Sequence, residues 1–373
     1  MDMPVIKSTG IGGFSMKVLI AAGGTGGHIY PALALAEILK EQDPACQIAF
    51  WGSSNRMESR LIPEKGYRFY GASMSGMNSG IKAKVKSAVS LLKAKSLARS
   101  VIKKEKPDIV AAFGNYISVP IVQAANACHI PVMLHEQNSF MGKANRFLAK
   151  KADAIAICYQ ANKEQVPSCA DKMRLTGNPE AQLAAKTVCT KEDLVQVGLN
   201  PDLPFVVFMM GSLGSESVSK VIDEACAKFD PDYQVLIAAG KANDYVYQTK
   251  SDDHIHIVPY IDGKKMLKAC RLAVVRAGAT TMAELSAIGT PAILIPSPNV
   301  PNNHQVFNAM ELVKQDAAVM LEEKDLSAEK LADMVNGLMK DAARLDTMAA
   351  NAKMEGHVDA ADQMIAWMKE LVH

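Results

Sequence analysis

The stretch Val18-Leu19-Ile20-Ala21-Ala22-Gly23-Gly24-Thr25-Gly26-Gly27-His28 decides the fold. A short apolar run of strand length enters a glycine-rich turn, and the turn opens into an apolar helix expected over residues 31–39 and reaching 42. Such a turn exposes backbone N–H groups with the positive end of a helix dipole behind them, which suits phosphate. The spacing is not the dinucleotide fingerprint, because Ile29 stands where G-x-G-x-x-G needs its last glycine. No Gly-Lys-Ser/Thr follows to make a Walker loop. The turn therefore points away from NAD and ATP enzymes.

The pattern restarts in the second half. Phe205-Val206-Val207-Phe208-Met209-Met210 reads as a strand, Gly211-Ser212-Leu213-Gly214-Ser215 as a second glycine turn, and a helix is expected to run on to Phe229. Further strands are expected at 47–51, 108–113, 131–135, 154–158, 234–238, 273–276 and 292–296. His254 and His256 sit two apart on another strand-like run. Helical patterns fall near 84–105, 118–128, 141–150 and 281–289. This alternation implies parallel sheets covered on both faces. Two α/β units joined near Thr176-Gly177-Asn178-Pro179 would face each other across a cleft at the carboxyl ends of their strands, where ligands bind. Two facing turns suit two phosphorylated ligands, or one with a long phosphate bridge.

Bulk properties narrow the classes. A chain of 373 residues suits two domains, and 49% hydrophobic with 21% charged residues is an ordinary globular composition. A net charge of +2 excludes a nucleic-acid-binding polycation, so no nucleic acid partner is expected. The seven cysteines are scattered without a C-x-x-C pair, and the eight histidines lack H-E-x-x-H spacing. Reduced thiols and no protein-held metal are the expectation. No apolar run reaches the roughly 18–20 residues of a membrane span, and no signal peptide is apparent. Residues 1–15 read as a mobile leader, with Met16 an alternative start.

Several strand ends carry chemistry. His28 either fixes the first turn or acts as a general base or phosphate donor. His135-Glu136-Gln137-Asn138 places four polar groups at the end of a buried strand, which is costly unless they are satisfied. They read as ligand contacts, although Asn138 could simply cap the next helix. Gly114-Asn115-Tyr116 is either a plain turn or a donor of amides to an acceptor. In Arg276-Ala277-Gly278-Ala279-Thr280-Thr281-Met282-Ala283-Glu284, Thr281 and Glu284 match a capping box. Equally, Glu284 could accept hydrogen bonds from a ribose diol while the threonines and amides meet phosphate. Asn302-Asn303-His304-Gln305-Val306-Phe307-Asn308 is amide-rich, as a sugar-binding surface often is. Residues 82–106 hold nine Lys or Arg and one acid. Apolar residues recur there at Ile81, Val85, Val89, Leu92, Leu97 and Val101, an amphipathic pattern that could rest on anionic lipid.

Taken together, Gly-Gly-Thr-Gly-Gly-His-x-x-Pro-Ala-Leu-Ala at 23–34, His-Glu-Gln-Asn at 135–138, Gly-Ser-x-Gly at 211–214 and Arg-x-Gly-Ala-x-Thr-x-x-Glu at 276–284 resemble the MurG family, the peptidoglycan N-acetylglucosaminyltransferases. Asn55-Arg56-Met57-Glu58 and Gly142-Lys143-Ala144-Asn145 fit it too, and the resemblance runs from Met16 nearly to the end. It implies an α/β GT-B fold: two Rossmann-like domains with parallel sheets facing a deep cleft. Residues 16–177, joined by a last helix at about 355–373, would form the acceptor and membrane domain, and 178–354 the UDP-GlcNAc domain. The implied reaction moves GlcNAc from UDP-GlcNAc to the 4-hydroxyl of undecaprenyl-diphosphate-linked lipid I. It proceeds with inversion and without a cofactor, on the cytoplasmic face of the membrane.

By the same resemblance, donor contacts are Thr25, Gly26, Gly27, Asn138, Ser212, Ile261, Ala279, Thr280, Thr281, Met282, Ala283, Glu284, His304 and Gln305. The acceptor side has Gly23, Gly24, Gly114, Asn115 and Tyr116. His28 is the first choice of catalytic base, His135 the second, and Glu136 a third. Three positions depart from the family pattern. Glu180 and Ala181 stand where an Arg commonly follows Gly-Asn-Pro, His304-Gln305 replaces Gln-Gln, and Gly114-Asn115-Tyr116 replaces Gly-Gly-Tyr. The rival readings are a UDP-GlcNAc 2-epimerase, a glycosyltransferase with another lipid acceptor, and a non-catalytic UDP-sugar-binding protein.

Overall fold

A computed structural model describes residues 15–74, 81–211, 214–240 and 243–373. Most of the expected leader, Ser212, and the side chains of Ile81, Val85 and Val89 lie outside what is described. Two sheets form, every pairing parallel. The first contains β1 (Lys17–Ala21), β2 (Gln47–Ser53), β3 (Arg68–Ala72), β4 (Ile109–Ala112), β5 (Val132–Glu136), β6 (Ala154–Ile157) and β7 (Met173–Leu175). Their order is β3-β2-β1-β4-β5-β6-β7. The second contains β8 (Phe205–Met209), β9 (Gln234–Ala238), β10 (Ile255–Val258), β11 (Leu272–Val275), β12 (Ala292–Leu294) and β13 (Ala318–Met320). Their order is β10-β9-β8-β11-β12-β13. In each sheet the strand order reverses between the two central strands, β1 and β4 or β8 and β11. A crevice opens at their carboxyl ends at such a switch point.

The alternation of β1 shows how the first sheet is buried on both faces. Leu19 and Ala21 join Trp51, Val110 and Leu134 under the helices that supply Ala98, Val101 and Ile121. Val18 and Ile20 point the other way, against Ile29, Leu35 and Ile38 of the helix Gly26–Gln42. Met364, Ile365 and Trp367 of the last helix, Ala360–Val372, complete that second face. Each such side chain contributes about 1.5–3 kcal/mol when fully buried. Gln182 accepts from the amides of Ala361 (3.0 Å) and Asp362 (3.2 Å), which fixes where the last helix starts. Near Gly177 the chain crosses between the sheets, and it crosses back at Gly356-His357. A Cβ on Gly177 would lie 2.2 Å from that of His357, and Gly177 has φ +81°. Only glycine fits there.

Three strands were not expected: β3, which includes Arg68 and Gly71, and the three-residue edges β7 and β13. They are too short or too polar to show a period. The first helix begins at Gly26, five residues ahead of Pro31, so the proline sits inside it. Having no N–H, Pro31 leaves the carbonyl of Gly27 without its helical partner. Gln137 fills the gap, its Nε2 donating to Gly27 O at 3.1 Å. The basic segment forms one helix, Ile81–Glu105, but its buried stripe is Ala94, Ala98, Val101 and Ile102. Leu92 and Leu97, expected on that stripe, are 66% and 38% exposed.

Candidate active site at the facing sheet edges

The turn after β1 rests on a carboxylate. Glu58, fully buried, accepts the amides of Gly24 (3.2 Å) and Ser53 (3.0 Å) on Oε1. Gly24 has φ +93°, and a Cβ there would lie 2.1 Å from Asn115 Nδ2. Asn115 in turn donates to Gly23 O at 3.1 Å. The Gly24 amide therefore faces inward and is taken by Glu58, so it is not among the amides the turn exposes. Gly26 and Gly27 open the helix, where no earlier carbonyl is available to their amides. Asn115 itself sits at φ 66° and binds the Tyr116 amide at 2.6 Å. Asparagine tolerates this left-handed conformation, which accounts for its place where the family pattern has glycine. Gly114 before it has φ +86°, and Tyr116 is half-buried.

Three of the four polar residues ending β5 belong to the wall. His135, 1% exposed, has its Nε2 3.1 Å from Gly177 O and its ring 4.9 Å from that of Phe113. Burial holds its pKa down to about 4. Glu136 accepts four hydrogen bonds, from the Asn138 amide and Nδ2, the Gly142 amide and Asn145 Nδ2, at 2.9–3.2 Å. Gln137 bridges Gly27 O and Phe113 O. The following helix is Lys143–Leu148 with Gly142 as its cap, so Asn138 is not the cap. Asn138 is half-buried, and its Oδ1 accepts from Asn308 of the other half at 3.3 Å. Asn145, quoted above only as part of a motif, supports both β5 and Glu136.

Among the three candidate bases, only His28 is not fully buried. Its Nδ1 lies 2.8 Å from Thr25 Oγ1. Burial, with a smaller effect of His304 across the cleft, lowers its pKa to about 4, so it is neutral at pH 7.

In the second sheet the turns are backed by charge. Gly211 and Gly214 have positive φ, and Ser215 precedes the helix Glu216–Ala225. Arg276, 9% exposed, donates to Ser215 Oγ (2.8 Å), Glu323 Oε2 (2.8 Å) and Ile295 O (3.2 Å). Ser217 closes the ring by donating to Glu323 Oε1 at 2.7 Å. Glu323 carries no motif and was not expected. The next helix is Ala279–Ile288 with Gly278 as its cap, so Thr281 and Glu284 do not form a capping box. Its first-turn amides, those of Ala279, Thr280 and Thr281, open at the end of β11. Thr280 Oγ1 is buried with no partner. Met282 faces the core, Ala283 is half-buried, and Ile261 is buried just before the helix Gly263–Ala269. Burial, then the nearby Glu180, pushes the Glu284 carboxyl up to about 8. Lys264 Nζ lies 2.6 Å from Glu180 Oε2, an ion pair between a half-buried lysine and a buried glutamate that was unforeseen in the sequence.

The carboxyl edges of the two sheets meet. Asn308, on the helix His304–Lys314, bonds both Ser139 after β5 and the Ala277 carbonyl after β11. His304 begins that helix, and Gln305 Oε1 accepts the Ser297 amide at 2.8 Å. The helix starts after β8 and β11, the His28 imidazole and the Glu284 carboxyl thus gather at these facing edges. That arrangement can hold a nucleotide diphosphate beside a hydroxyl nucleophile. Among the described residues no three His, Cys, Asp or Glu side chains gather as a metal site. None of their helices is long and apolar enough to cross a membrane.

The glycosyltransferase family 28 N-terminal domain matches residues 18–157, and the C-terminal domain of the same family matches 205–364. The chain is 39% identical to the UDP-N-acetylglucosamine–N-acetylmuramyl-(pentapeptide) pyrophosphoryl-undecaprenol N-acetylglucosamine transferase of Limosilactobacillus fermentum, covering 96% of this chain and 99% of that one. Its fold is similar to that of Acinetobacter baumannii MurG, with TM-score 0.75, 24% identity and coverage of 95% and 99%. It also resembles a Neisseria meningitidis UDP-GlcNAc 2-epimerase bound to UDP-GlcNAc, with TM-score 0.68 at 12% identity over 95% and 100%. Those two likenesses speak for the fold alone.

Proposed function

The chain belongs to the MurG family of family 28 glycosyltransferases, and from that footing we propose that it moves N-acetylglucosamine from UDP-GlcNAc to the 4-hydroxyl of lipid I, giving lipid II with inversion. The observation that carries the reading is geometric: amide-lined helix starts after β8 and β11 stand at the carboxyl edge that faces His28 on the first helix of the other sheet. The epimerase rival rests on fold likeness alone, whereas the transferase relative is 39% identical over nearly the whole chain.

The reaction is an in-line displacement. The acceptor oxygen forms its bond to the anomeric carbon as the bond from that carbon to the diphosphate oxygen breaks. UDP leaves with the electron pair. His28 Nε2 takes the hydroxyl proton while Nδ1–H donates to Thr25 Oγ1. The amides opening the helices Glu216–Ala225 and Ala279–Ile288, with Ser212, meet the charge gathering on the diphosphate. Glu284 holds the ribose, Ile261 lies by the base, and Asn138, His304 and Gln305 meet the sugar. Lys264, steered by Glu180, supplies the cation that the family places on an arginine. Gly26, Gly27 and Tyr116 face the acceptor. His135 and Glu136 position the wall rather than move the proton.

The enzyme works at a membrane surface without spanning it. The helix Ile81–Glu105 presents Leu92 and Leu97 among Lys93, Lys95 and Arg99. Each basic residue near an anionic surface adds about 1 kcal/mol. Vesicle co-sedimentation that ignores anionic lipid content would remove this helix from the role. The deciding experiment incubates the protein with UDP-GlcNAc and a lipid I analogue in EDTA and identifies the product. A disaccharide product with UDP release supports the reading; UDP-ManNAc formed without acceptor overturns it. His28→Ala is expected to lower kcat by about 10²-fold or more with little change in the KM for UDP-GlcNAc.

A further inference from the structure

Asn308 spends three of its four hydrogen bonds on the other half of the molecule and the fourth on its own. It is fully buried. Its Oδ1 accepts from the Ser139 amide at 3.0 Å and the Ser139 hydroxyl at 3.3 Å. Its Nδ2 donates to Asn138 Oδ1 at 3.3 Å and to Ala277 O at 3.2 Å. A carboxamide has two donors and two acceptor positions, and all four are taken. The loop on the other side cannot yield alone. Asn162 donates to the carbonyls of Asn138 and Ser139 at 3.1 Å, and Gln165 to that of Ser139 at 2.7 Å. Beside the clasp, Phe140 stacks on Phe307 at 5.7 Å, with Arg146 4.6 Å over the Phe140 ring.

Asn138 is the residue whose orientation this arrangement sets. Its Nδ2 donates to Glu136 Oε1 at 3.2 Å, and its Oδ1 faces Asn308. That leaves one N–H of the amide for a ligand. Separation of the halves would break the bonds from Asn308 to Asn138 and Ser139 together. We propose that Asn308 is a positioning residue, a clasp that sets the Asn138 amide toward the donor sugar only when the two sheets' carboxyl edges are shut. Its partner Ala277 stands at the start of the 276–284 turn, so one side chain registers the nucleotide turn against the sugar-facing loop. The inference rests on the proposed transferase reaction.

A double-mutant cycle tests it, using Asn138→Ala, Asn308→Ala and their combination, with Asn308→Asp as a variant of equal size. The aspartate keeps the acceptor for Ser139 but sets oxygen against Asn138 Oδ1 and Ala277 O. Asn308→Asp is expected to lower kcat/KM for UDP-GlcNAc by about 10- to 100-fold, and the double variant to fall no further than Asn138→Ala alone. In the unaltered chain, exchange of the Ser139 amide is expected to slow by about tenfold or more when UDP-GlcNAc is added. Additive losses, an unchanged kcat/KM in Asn308→Asp, or exchange indifferent to UDP-GlcNAc would each overturn the clasp. Calorimetry separates the two failures, because an unaltered chain that does not bind UDP-GlcNAc contradicts the proposed reaction itself. The clasp then stands or falls on whether Asn308→Ala speeds Ser139 exchange without nucleotide.

Discussion

The turns after β1 and after β8 occupy the same place in two sheets of matching strand order, yet they are braced by opposite charges. Beneath the first lies a buried carboxylate, Glu58, which takes the Gly24 amide, with the Glu136 network close by. Behind the second lies a guanidinium, Arg276, fixed by Glu323 and reaching Ser215. A carboxylate under a glycine turn draws amides inward and rigidifies; a guanidinium behind one adds positive field at its mouth. The first region is built to position, the second to hold anionic charge.

The sharpest way to break that contrast is Glu136→Gln. It places an amide N–H where the carboxylate accepted hydrogen bonds from Asn138, Gly142 and Asn145. Losing such charge-assisted bonds is expected to cost roughly 2–3 kcal/mol in urea denaturation, and about 10²-fold in kcat/KM, with KM for UDP-GlcNAc moving less than kcat. If KM alone moved, Glu136 would be a donor contact instead. Arg276→Met probes the other side. It leaves Glu323 without its guanidinium, and is expected to raise the UDP-GlcNAc KM about tenfold and cost roughly 2 kcal/mol. UDP affinity unchanged by calorimetry would contradict the charge-holding role.

Glu284 sharpens the contrast through pH. The unfolded carboxyl gives up its proton near its ordinary 4.5, while the folded one keeps it to about 8. Between those values the native state binds more protons, so stability is full below the lower value and declines as pH rises through the upper one. Glu284→Gln removes that decline. Its Tm is expected to match the parent near the lower value and exceed it above the upper one, while UDP-GlcNAc binding weakens by about tenfold. Parallel Tm profiles for the two proteins would show that Glu284 ionises normally. The smallest effect is expected from Asn115→Gly, which restores the family's glycine: about 1 kcal/mol lost with the bond to Gly23 O, and kcat within about threefold, measured by urea denaturation and UDP release.

The central strands were legible because continuous apolar runs such as Phe205–Met209 bury both faces of a parallel sheet. Both glycine turns were legible for the same local reason. Three-residue edges such as β7 carry no period to read, and Pro31 suggested a helix start where a distant glutamine let the helix begin earlier. The polar run 135–138 announced a site, but not that three of its members face the wall. Asn308, Glu323 and Lys264 escaped because their partners lie far off in sequence: Ser139 is 169 residues from Asn308, and Glu180 is 84 from Lys264. Asn308 closes the amide-rich 302–308 stretch, a signal pointing to sugar when the residue grips protein.

Gly177 and His357 press together where the chain passes between the halves in both directions. A door hung on two adjacent pins swings but does not twist. Any motion between the halves would have this one spot as its pivot. Cutting either passage alone would leave the halves joined by the other, with the swing loosened into a wobble.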